Sequence, residues 1–136
     1  MSYCVAFVIP CFNHAKPLKG LLKKLAPFGL TAFLVDDGNT PNDQAIIDKL
    51  LPDFPFVHLV RREKNGGKGA AVIDGALAAR NAGFTHILQI DADGQHDTKD
   101  IPTLLALSEE NPQALISGFP LYDASVPKGR LIGRYI

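Results

Sequence analysis

Residues 5–13, VAFVIPCFN, contain the pattern that decides the fold, because five apolar residues in a row are followed at once by Pro-Cys-Phe-Asn. A continuous apolar run of this length is typical of a strand that is covered on both faces, as strands of parallel sheets are. Further runs of the same kind lie at residues 32–35, 56–60, 87–90 and 114–116. Together with residues 5–9, these segments are predicted to form a largely parallel sheet.

The segments between the runs have apolar residues at helical spacing. In residues 68–82, for example, Val72, Ile73, Ala76 and Leu77 lie on one side of a helix. The same spacing predicts helices at residues 16–25, 41–51 and 101–108. Strands that alternate with helices predict an α/β fold with helices on both faces of the sheet, and 136 residues are typical of one domain.

The overall charge does not point to a charged partner. Fourteen basic residues balance fourteen acidic ones, so no net field favours nucleic acid or an anionic membrane, and nucleic acid is not an expected partner. Cys4 and Cys11 lie in or beside an apolar run, which suits reduced thiols better than a disulfide framework. No apolar run approaches the roughly 20 residues that span a bilayer. A cytoplasmic location is therefore expected.

Each of the first four predicted strands is followed by a cluster of polar or small residues. The clusters are Pro10-Cys11-Phe12-Asn13, Asp36-Asp37-Gly38, Asn65-Gly66-Gly67-Lys68-Gly69 and Asp91-Ala92-Asp93. In an open parallel sheet, ligands bind beyond the carboxyl ends of the strands. We therefore expect the four loops to face one site.

The cluster after the fourth strand has the residue types of a metal site. Asp91 and Asp93 are two residues apart, so their carboxylates point to the same side of an extended chain, and Gln95 continues the spacing. Oxygen ligands suit Mg²⁺ or Mn²⁺, which can bridge the phosphates of a nucleotide and neutralise a leaving diphosphate. Asp91 and Asp93 are thus candidate catalytic residues. The alternative is a polar strand end in which an Asp caps a turn before Gly94.

Spacing excludes two other kinds of site. A calcium-binding EF-hand loop requires Gly at its sixth position and Glu at its twelfth, where this chain has His96 and Pro102. A Walker phosphate loop around Lys68 requires Gly at position 62 and Ser or Thr at position 69, where this chain has Arg62 and Gly69.

Two rival functions stay open. A phosphatase of the haloacid dehalogenase type also places Asp-x-Asp-Gly after an apolar strand, with the first Asp as nucleophile, although Thr or Val is usual where this chain has Gln95. A nucleotide-binding module without catalysis would bind its ligand without the metal or the acidic pair.

Other candidate residues each have a structural alternative. Asp36 and Asp37 end an apolar strand, where a buried charge needs a partner, either a ligand or metal or the backbone of an Asx-turn before Gly38. Phe12 offers a face to a nucleobase or packs in the core. Lys68 and the amides at the start of its helix can bind phosphate or form a flexible turn.

Three candidates lie later in the chain. His96 stands beside the acidic pair and is a candidate for acceptor or phosphate binding. Arg130 and Arg134 are four residues apart, so they can meet a phosphate together, or they stay solvated.

Together the four clusters resemble the motifs of family 2 glycosyltransferases of the GT-A fold, particularly the polyprenyl-phosphate (dolichol-phosphate) sugar transferases. Residues 9–13 resemble the family's Ile-Pro-x-Tyr-Asn, residues 35–39 its Val-Asp-Asp-Gly-Ser, and residues 65–71 its Asn-x-Gly-Lys-Gly-x-Ala. The segment Asp91-Ala92-Asp93-Gly94-Gln95-His96 matches the last motif at every position.

This resemblance implies inverting transfer of a sugar from a UDP- or GDP-linked donor to a lipid-phosphate or glycan acceptor. It implies that Pro10 and Phe12 flank the base, that Asp37 bonds base or ribose, and that Lys68 approaches the nucleotide. The implied nucleotide-binding residues are Pro10, Phe12, Asn13, Asp36, Asp37, Lys68 and Asp91, and the implied ligands of Mg²⁺ or Mn²⁺ are Asp91, Asp93 and Gln95.

The chain departs from the family pattern at Phe12, which replaces Tyr, at His14, which replaces an acidic residue, and at Ser117-Gly118-Phe119, which replaces Gly-Ser-Arg. Relatives continue beyond the position of Arg134 into acceptor-binding helices and in some cases membrane spans. The chain is therefore expected to be the truncated donor-binding part of a longer protein, at the cytoplasmic face of the membrane where that protein is membrane-associated. We expect it to bind donor and metal but to transfer sugar poorly alone.

Overall fold

The computed structural model describes residues 2–93 and 98–115, in which strands and helices alternate along the chain. Three short 3₁₀ helices, Ala26–Phe28, Leu51–Asp53 and Thr98–Asp100, accompany the longer elements. The longer elements are β1 (Val5–Cys11), α1 (Ala15–Leu25), β2 (Ala32–Asp37), α2 (Pro41–Leu50), β3 (Val57–Arg62), α3 (Lys68–Asn81), β4 (His86–Gln89) and α4 (Ile101–Glu110). The first four predicted strands and the four predicted helices are confirmed within a few residues.

The four strands form one parallel sheet in the order β3-β2-β1-β4. In this register Phe7 lies opposite Ala32, and Ala32 lies opposite Val57. All four carboxyl ends therefore lie at the same edge of the sheet. The sheet and the first three helices belong to a compact unit that ends at Thr98, and α4 belongs to a second unit that begins at Lys99.

One face of the sheet is covered by α3. Ala6 and Val8 of β1 and Val35 of β2 share a buried cluster with Ala71 and Ala79 of α3. The close approach depends on Gly75, because a Cβ there would lie 2.5 Å from Val8 Cγ1 and 2.9 Å from Val35 Cγ2.

On the opposite face, Phe28 of the 3₁₀ helix after α1 contacts β1, and α1 and α2 pack on each other. Phe7 alternates with Val8 along β1, and its ring meets that of Phe28 edge-on at 6.1 Å. Leu18 and Leu22 of α1 and Ile47 of α2 are fully buried. The prediction of an α/β fold with helices on both faces is confirmed.

The fifth predicted strand, at residues 114–116, is wrong in its described part. The Ala114 N–H donates to the Asn111 carbonyl at 2.9 Å, and Leu115 is 93% exposed. Asn followed by Pro112 favours a tight turn, which outweighs the short apolar run. Ile116 lies outside the described residues.

No helix in the part of the chain that the structure describes is long and apolar enough to cross a membrane.

Candidate functional site

The four polar clusters meet at a cleft of about 290 Å³ beyond the carboxyl ends of the strands. Each of the four loops contributes to its walls, so the prediction that they face one site is confirmed. The lining residues are Pro10, Cys11, Phe12 and His14 after β1, Asp37 after β2, Asn65, Gly67 and Lys68 after β3, and Asp91, Ala92 and Asp93 after β4.

The loop after β1 provides the aromatic part of the cleft. Phe12 is 39% exposed, so its ring is open to a ligand rather than packed in the core. The next residue, Asn13, has a φ of 60°, a left-handed conformation that Asn tolerates better than most residues. Its N–H donates to Asn39 Oδ1 at 2.9 Å, which fixes the turn into α1.

Cys11 lines the cleft but is buried, and burial raises the pKa of its thiol to about 11. The thiol is therefore protonated near neutral pH, and it contributes packing rather than a nucleophile.

Asp36, for which the sequence left a ligand, a metal or the backbone of a turn open, has protein partners. Its side chain is fully buried, with Oδ2 2.6 Å from Arg61 Nε and Oδ1 2.6 Å from Asn39 Nδ2. Burial acts to raise the pKa of Asp36, but the hydrogen bonds from Asn39 and Arg61 outweigh it and hold the pKa below its usual 3.8. Asp36 is thus an ionised brace below the loops, and the structure does not bring it to the cleft wall.

Asn39 extends this brace to the first loop. Besides Asp36, its Nδ2 donates to the Cys11 carbonyl at 2.7 Å. The end of β1 and the turn after β2 are therefore joined by one buried amide.

Asp37 lines the cleft, yet protein donors surround its carboxylate. Oδ1 accepts from Arg62 Nε at 2.9 Å and from the Gly66 N–H at 3.0 Å. Oδ2 accepts from Asn65 Nδ2 and from the Gly67 N–H, both at 3.1 Å. A carboxylate has about four acceptor positions, so Asp37 organises the loop that precedes α3, and a bond from Asp37 to base or ribose would displace one of these donors.

The loop before α3 also fits tightly against Gly38. Gly38 has a φ of 68°, and a Cβ at this position would clash with the backbone nitrogen of Asn65. A side chain here would push the loop that carries Lys68 away from the end of β2.

Sequence reasoning missed the arginines that complete this arrangement. Arg61 also pairs with Asp48 at 2.9 Å, and Arg62 pairs with Asp74 of α3. In the parallel register Asp36 lies opposite Arg61 and Asp37 opposite Arg62. Two acids at the end of one apolar run and two arginines at the end of the next were the signal that could have revealed them.

Lys68, the first residue of α3, holds the carboxylate of the predicted metal site. Its Nζ lies 2.7 Å from Oδ1 and 2.8 Å from Oδ2 of Asp91, and Gln89 Nε2 donates to Asp91 Oδ1 at 3.3 Å. The Asp91 side chain is 21% exposed, so a cation can reach it from the cleft.

The residues present fit a hard divalent cation shared with a ligand. The Lys68 ammonium stands where such a cation would neutralise Asp91, and Asp93 lines the same cleft. In residues 2–93 and 98–115 there is no group of three or more His, Cys, Asp or Glu that could hold a metal alone. Mg²⁺ and Mn²⁺ sites that use one or two carboxylates obtain their other oxygens from water and substrate phosphates.

Four predicted site residues lie outside the described residues. They are the predicted metal ligand Gln95 and the candidate acceptor or phosphate residues His96, Arg130 and Arg134.

The sequence matches the family model described as glycosyl transferase family 2 over residues 6–133. It is 33% identical over 130 residues to an uncharacterised protein of Methanocaldococcus jannaschii, covering 94% of this chain and 56% of the relative. It is 30% identical over 101 residues to the polyprenol monophosphomannose synthase of Mycolicibacterium smegmatis, covering 72% of this chain and 38% of the relative. The chain thus spans about half or less of the length of these curated relatives.

Solved structures share the fold at low identity. TarS residues 1–349 of S. aureus, in complex with UDP, superposes with a TM-score of 0.59 at 22% identity, over 80% of this chain and 33% of that one. A mannosyltransferase from Pyrobaculum calidifontis, in complex with GDP-Man and Mn²⁺, superposes with a TM-score of 0.56 at 21% identity, over 68% of this chain and 28% of that one. These likenesses support the predicted GT-A architecture.

Proposed function

Since the chain belongs to glycosyl transferase family 2, we propose that its cleft binds a UDP- or GDP-linked sugar through Mg²⁺ or Mn²⁺ for inverting transfer of the sugar. The observation that carries the proposal is that all four loops line one cleft. In this cleft the accessible carboxylate of Asp91 is already paired with the Lys68 ammonium. The cleft offers an aromatic side chain for the base, a lysine for the diphosphate and a pair of carboxylates for the metal.

The nucleotide base belongs on the side of the cleft formed by the first loop. Phe12 presents its exposed ring there and Pro10 lines the same wall, and flat apolar surfaces of this kind stack on bases. The ribose and diphosphate would then extend toward Asp37 and the start of α3.

The diphosphate belongs near the start of α3. Backbone amides at the amino end of a helix carry a partial positive charge and attract phosphate. Lys68 adds a full charge at this point, and its side chain is 54% exposed. The Gly66 and Gly67 amides bond to Asp37, so Asp37 acts on the diphosphate by fixing this loop.

Asp91 and Asp93, with Gln95 from the matching motif, would hold the cation. When bound, a divalent cation neutralises the charge that grows on the departing diphosphate. The mannosyltransferase from Pyrobaculum calidifontis, described in complex with GDP-Man and Mn²⁺, supports a nucleotide and metal in this fold. The residues of this chain would position the donor and stabilise the negative charge of the departing diphosphate.

The proposed acceptor is a lipid phosphate, such as a polyprenyl phosphate, or a glycan. One of the relatives described above is a polyprenol monophosphomannose synthase. We place the activity at the cytoplasmic face of a membrane, where such a lipid presents its phosphate to a donor made in the cytoplasm.

Calorimetric titration of UDP and GDP tests this function. We expect micromolar binding of one of them with Mn²⁺, and a loss of at least about tenfold in EDTA or in Asp93→Asn, because the cation links carboxylate to diphosphate. Asp53→Asn is the matched control, since Asp53 is exposed and precedes β3 at the opposite edge of the sheet. Its affinity should equal that of the wild type.

The rival functions give different results. Nucleotide binding that persists in EDTA and in Asp93→Asn would favour a binding module without catalysis. Hydrolysis of p-nitrophenyl phosphate that disappears in Asp91→Asn, without nucleotide binding, would favour the phosphatase.

A further inference from the structure

Helix α1 presents a face of lysines to solvent. Lys16, Lys19, Lys23 and Lys24 are all exposed. At about 100° per residue they lie within an arc of about 140° on the helix, on the side opposite its buried residues. These buried residues are Ala15, Leu18, Leu21, Leu22 and Leu25. We call the four lysines the lysine face.

The lysine face lies in a segment without acidic residues. Residues 1–35 contain four lysines and no Asp or Glu, so all fourteen acidic residues lie later in the chain. In the part of the chain that the structure describes, no ion pair involves any of the four lysines of this face. Although the net charge is zero, the charges are therefore unevenly distributed, and α1 has a positive surface.

The lysine face begins at the edge of the cleft. His14 lines the cleft, α1 starts at the next residue, and Lys16 follows within its first turn. A surface that attracts α1 would therefore lie beside the opening of the cleft.

We propose that the lysine face docks this protein on an anionic membrane surface. Clusters of four to eight basic residues on a helix are typical of segments that bind anionic lipids. The leucines of α1 are committed to the core, so the helix would lie on the headgroups through charge alone rather than insert. The proposal goes beyond the proposed function, since this contact requires neither donor nor metal.

The composition of the face favours lipid headgroups over nucleic acid. All four positive charges are lysines, which act as flexible point charges, whereas planar arginine forks are preferred for nucleic-acid phosphates. The exposed residues among them are Pro17 and Gly20, which offer no aromatic ring for stacking on a base.

Vesicle co-sedimentation tests the proposal. We expect the protein to bind vesicles of equimolar phosphatidylcholine and phosphatidylglycerol but not pure phosphatidylcholine, and to be released as salt rises. The triple variant Lys16→Gln, Lys19→Gln, Lys23→Gln should bind at least about tenfold more weakly. The triple variant Lys49→Gln, Lys64→Gln, Arg80→Gln removes the same charge from exposed positions elsewhere and should bind like the wild type.

Single substitutions keep the test decisive if the α1 triple variant does not fold. Lys19→Gln and Lys23→Gln should each weaken vesicle binding about threefold or more, at an unchanged thermal midpoint. Absence of binding to the mixed vesicles, or equal losses in both triple variants, would overturn the proposal. Tighter binding to duplex DNA than to the mixed vesicles would overturn it too. Because vesicle binding is measured without nucleotide or metal, its failure leaves the donor-site proposal separately testable.

Discussion

The Lys68 ammonium lies 2.7 Å from Oδ1 and 2.8 Å from Oδ2 of Asp91, so the carboxylate proposed to hold a divalent cation is already paired with a positive charge. A metal that binds Asp91 would compete with this lysine for the carboxylate, and an ammonium released from Asp91 could meet the diphosphate. Lys68 therefore has opposite effects on the metal and on the nucleotide.

Replacing Lys68 with Met should raise the affinity for Mn²⁺ in the absence of nucleotide and lower the affinity for the nucleotide in its presence. The pair is partly exposed, so the gain in metal affinity should be about twofold to fivefold. Electron paramagnetic resonance of free Mn²⁺ measures the first effect and calorimetry the second. Lys64→Met is the control, because Lys64 is exposed and precedes the cleft-lining loop residues. Unchanged Mn²⁺ affinity in Lys68→Met would contradict the competition.

Asp36→Asn should destabilise the fold much more than Asp48→Asn, although both acids bind Arg61. The Asp36 side chain is fully buried and also receives two hydrogen bonds from Asn39, whereas the Asp48 side chain is 55% exposed. We expect a loss of about 2–4 kcal/mol for Asp36→Asn and about 0–1 kcal/mol for Asp48→Asn in urea denaturation. Equal losses would show that Asp36 is not the brace of these loops.

The lowered pKa of Asp36 predicts a loss of stability in acid. Below about pH 4, the unfolded chain binds a proton at Asp36 that the folded chain still excludes. The stabilisation from Asp36 is therefore complete above the unfolded pKa and is lost as the pH falls through the lower folded pKa. Urea midpoints measured between pH 6 and about pH 3 should fall more steeply for the wild type than for Asp36→Asn. Parallel curves would count against this assignment.

Gly38→Ala should weaken nucleotide binding, whereas Gly29→Ala should not. Both glycines have a φ near 67°, 68° at Gly38 and 66° at Gly29, so each substitution carries a backbone cost of about 1 kcal/mol. Only at Gly38 would the new Cβ meet the backbone of Asn65, since the space around Gly29 is open. We expect nucleotide affinity to fall about tenfold in Gly38→Ala, as the displaced loop loses a contact to a charged phosphate. Equal affinities in the two folded variants would show that the position of this loop does not matter.

Much of the fold and the position of the cleft could be predicted because their signals are local in sequence. Residues 5–9 read as a buried strand, and the polar loops after the strands indicate the ligand-binding edge of a parallel sheet. The strand predicted at residues 114–116 is wrong in its described part for a reason that is also local in sequence. Asn111 and Pro112 favour a turn, and this preference outweighs the short apolar run.

The partners of the acidic residues could not be read in the same way. Whether Asp37 faces a ligand or Arg62 depends on the register between β2 and β3, which the acid pair and the arginine pair after the two apolar runs suggest but do not establish. The pairing of Lys68 with Asp91 likewise joins residues 23 positions apart that only the folded sheet brings together. The sequence therefore identified the acidic residues and Lys68. The structure added Arg61 and Arg62, and it showed that Asp36 and Asp37 hold the loops while Lys68 and Asp91 pair at the cleft.

Paramagnetic broadening of backbone amide signals on addition of Mn²⁺ with GDP or UDP tests whether the four loops form one metal and nucleotide site. The amides of Phe12, Asp37, Gly67 and Ala92, one from each of the four loops, should lose intensity together at substoichiometric Mn²⁺. The amides of Ala32 and Gly83, which lie at or near the amino ends of strands, should keep theirs. Broadening at Ala32 and Gly83 instead, or no broadening with either nucleotide, would show that the four loops do not form this site.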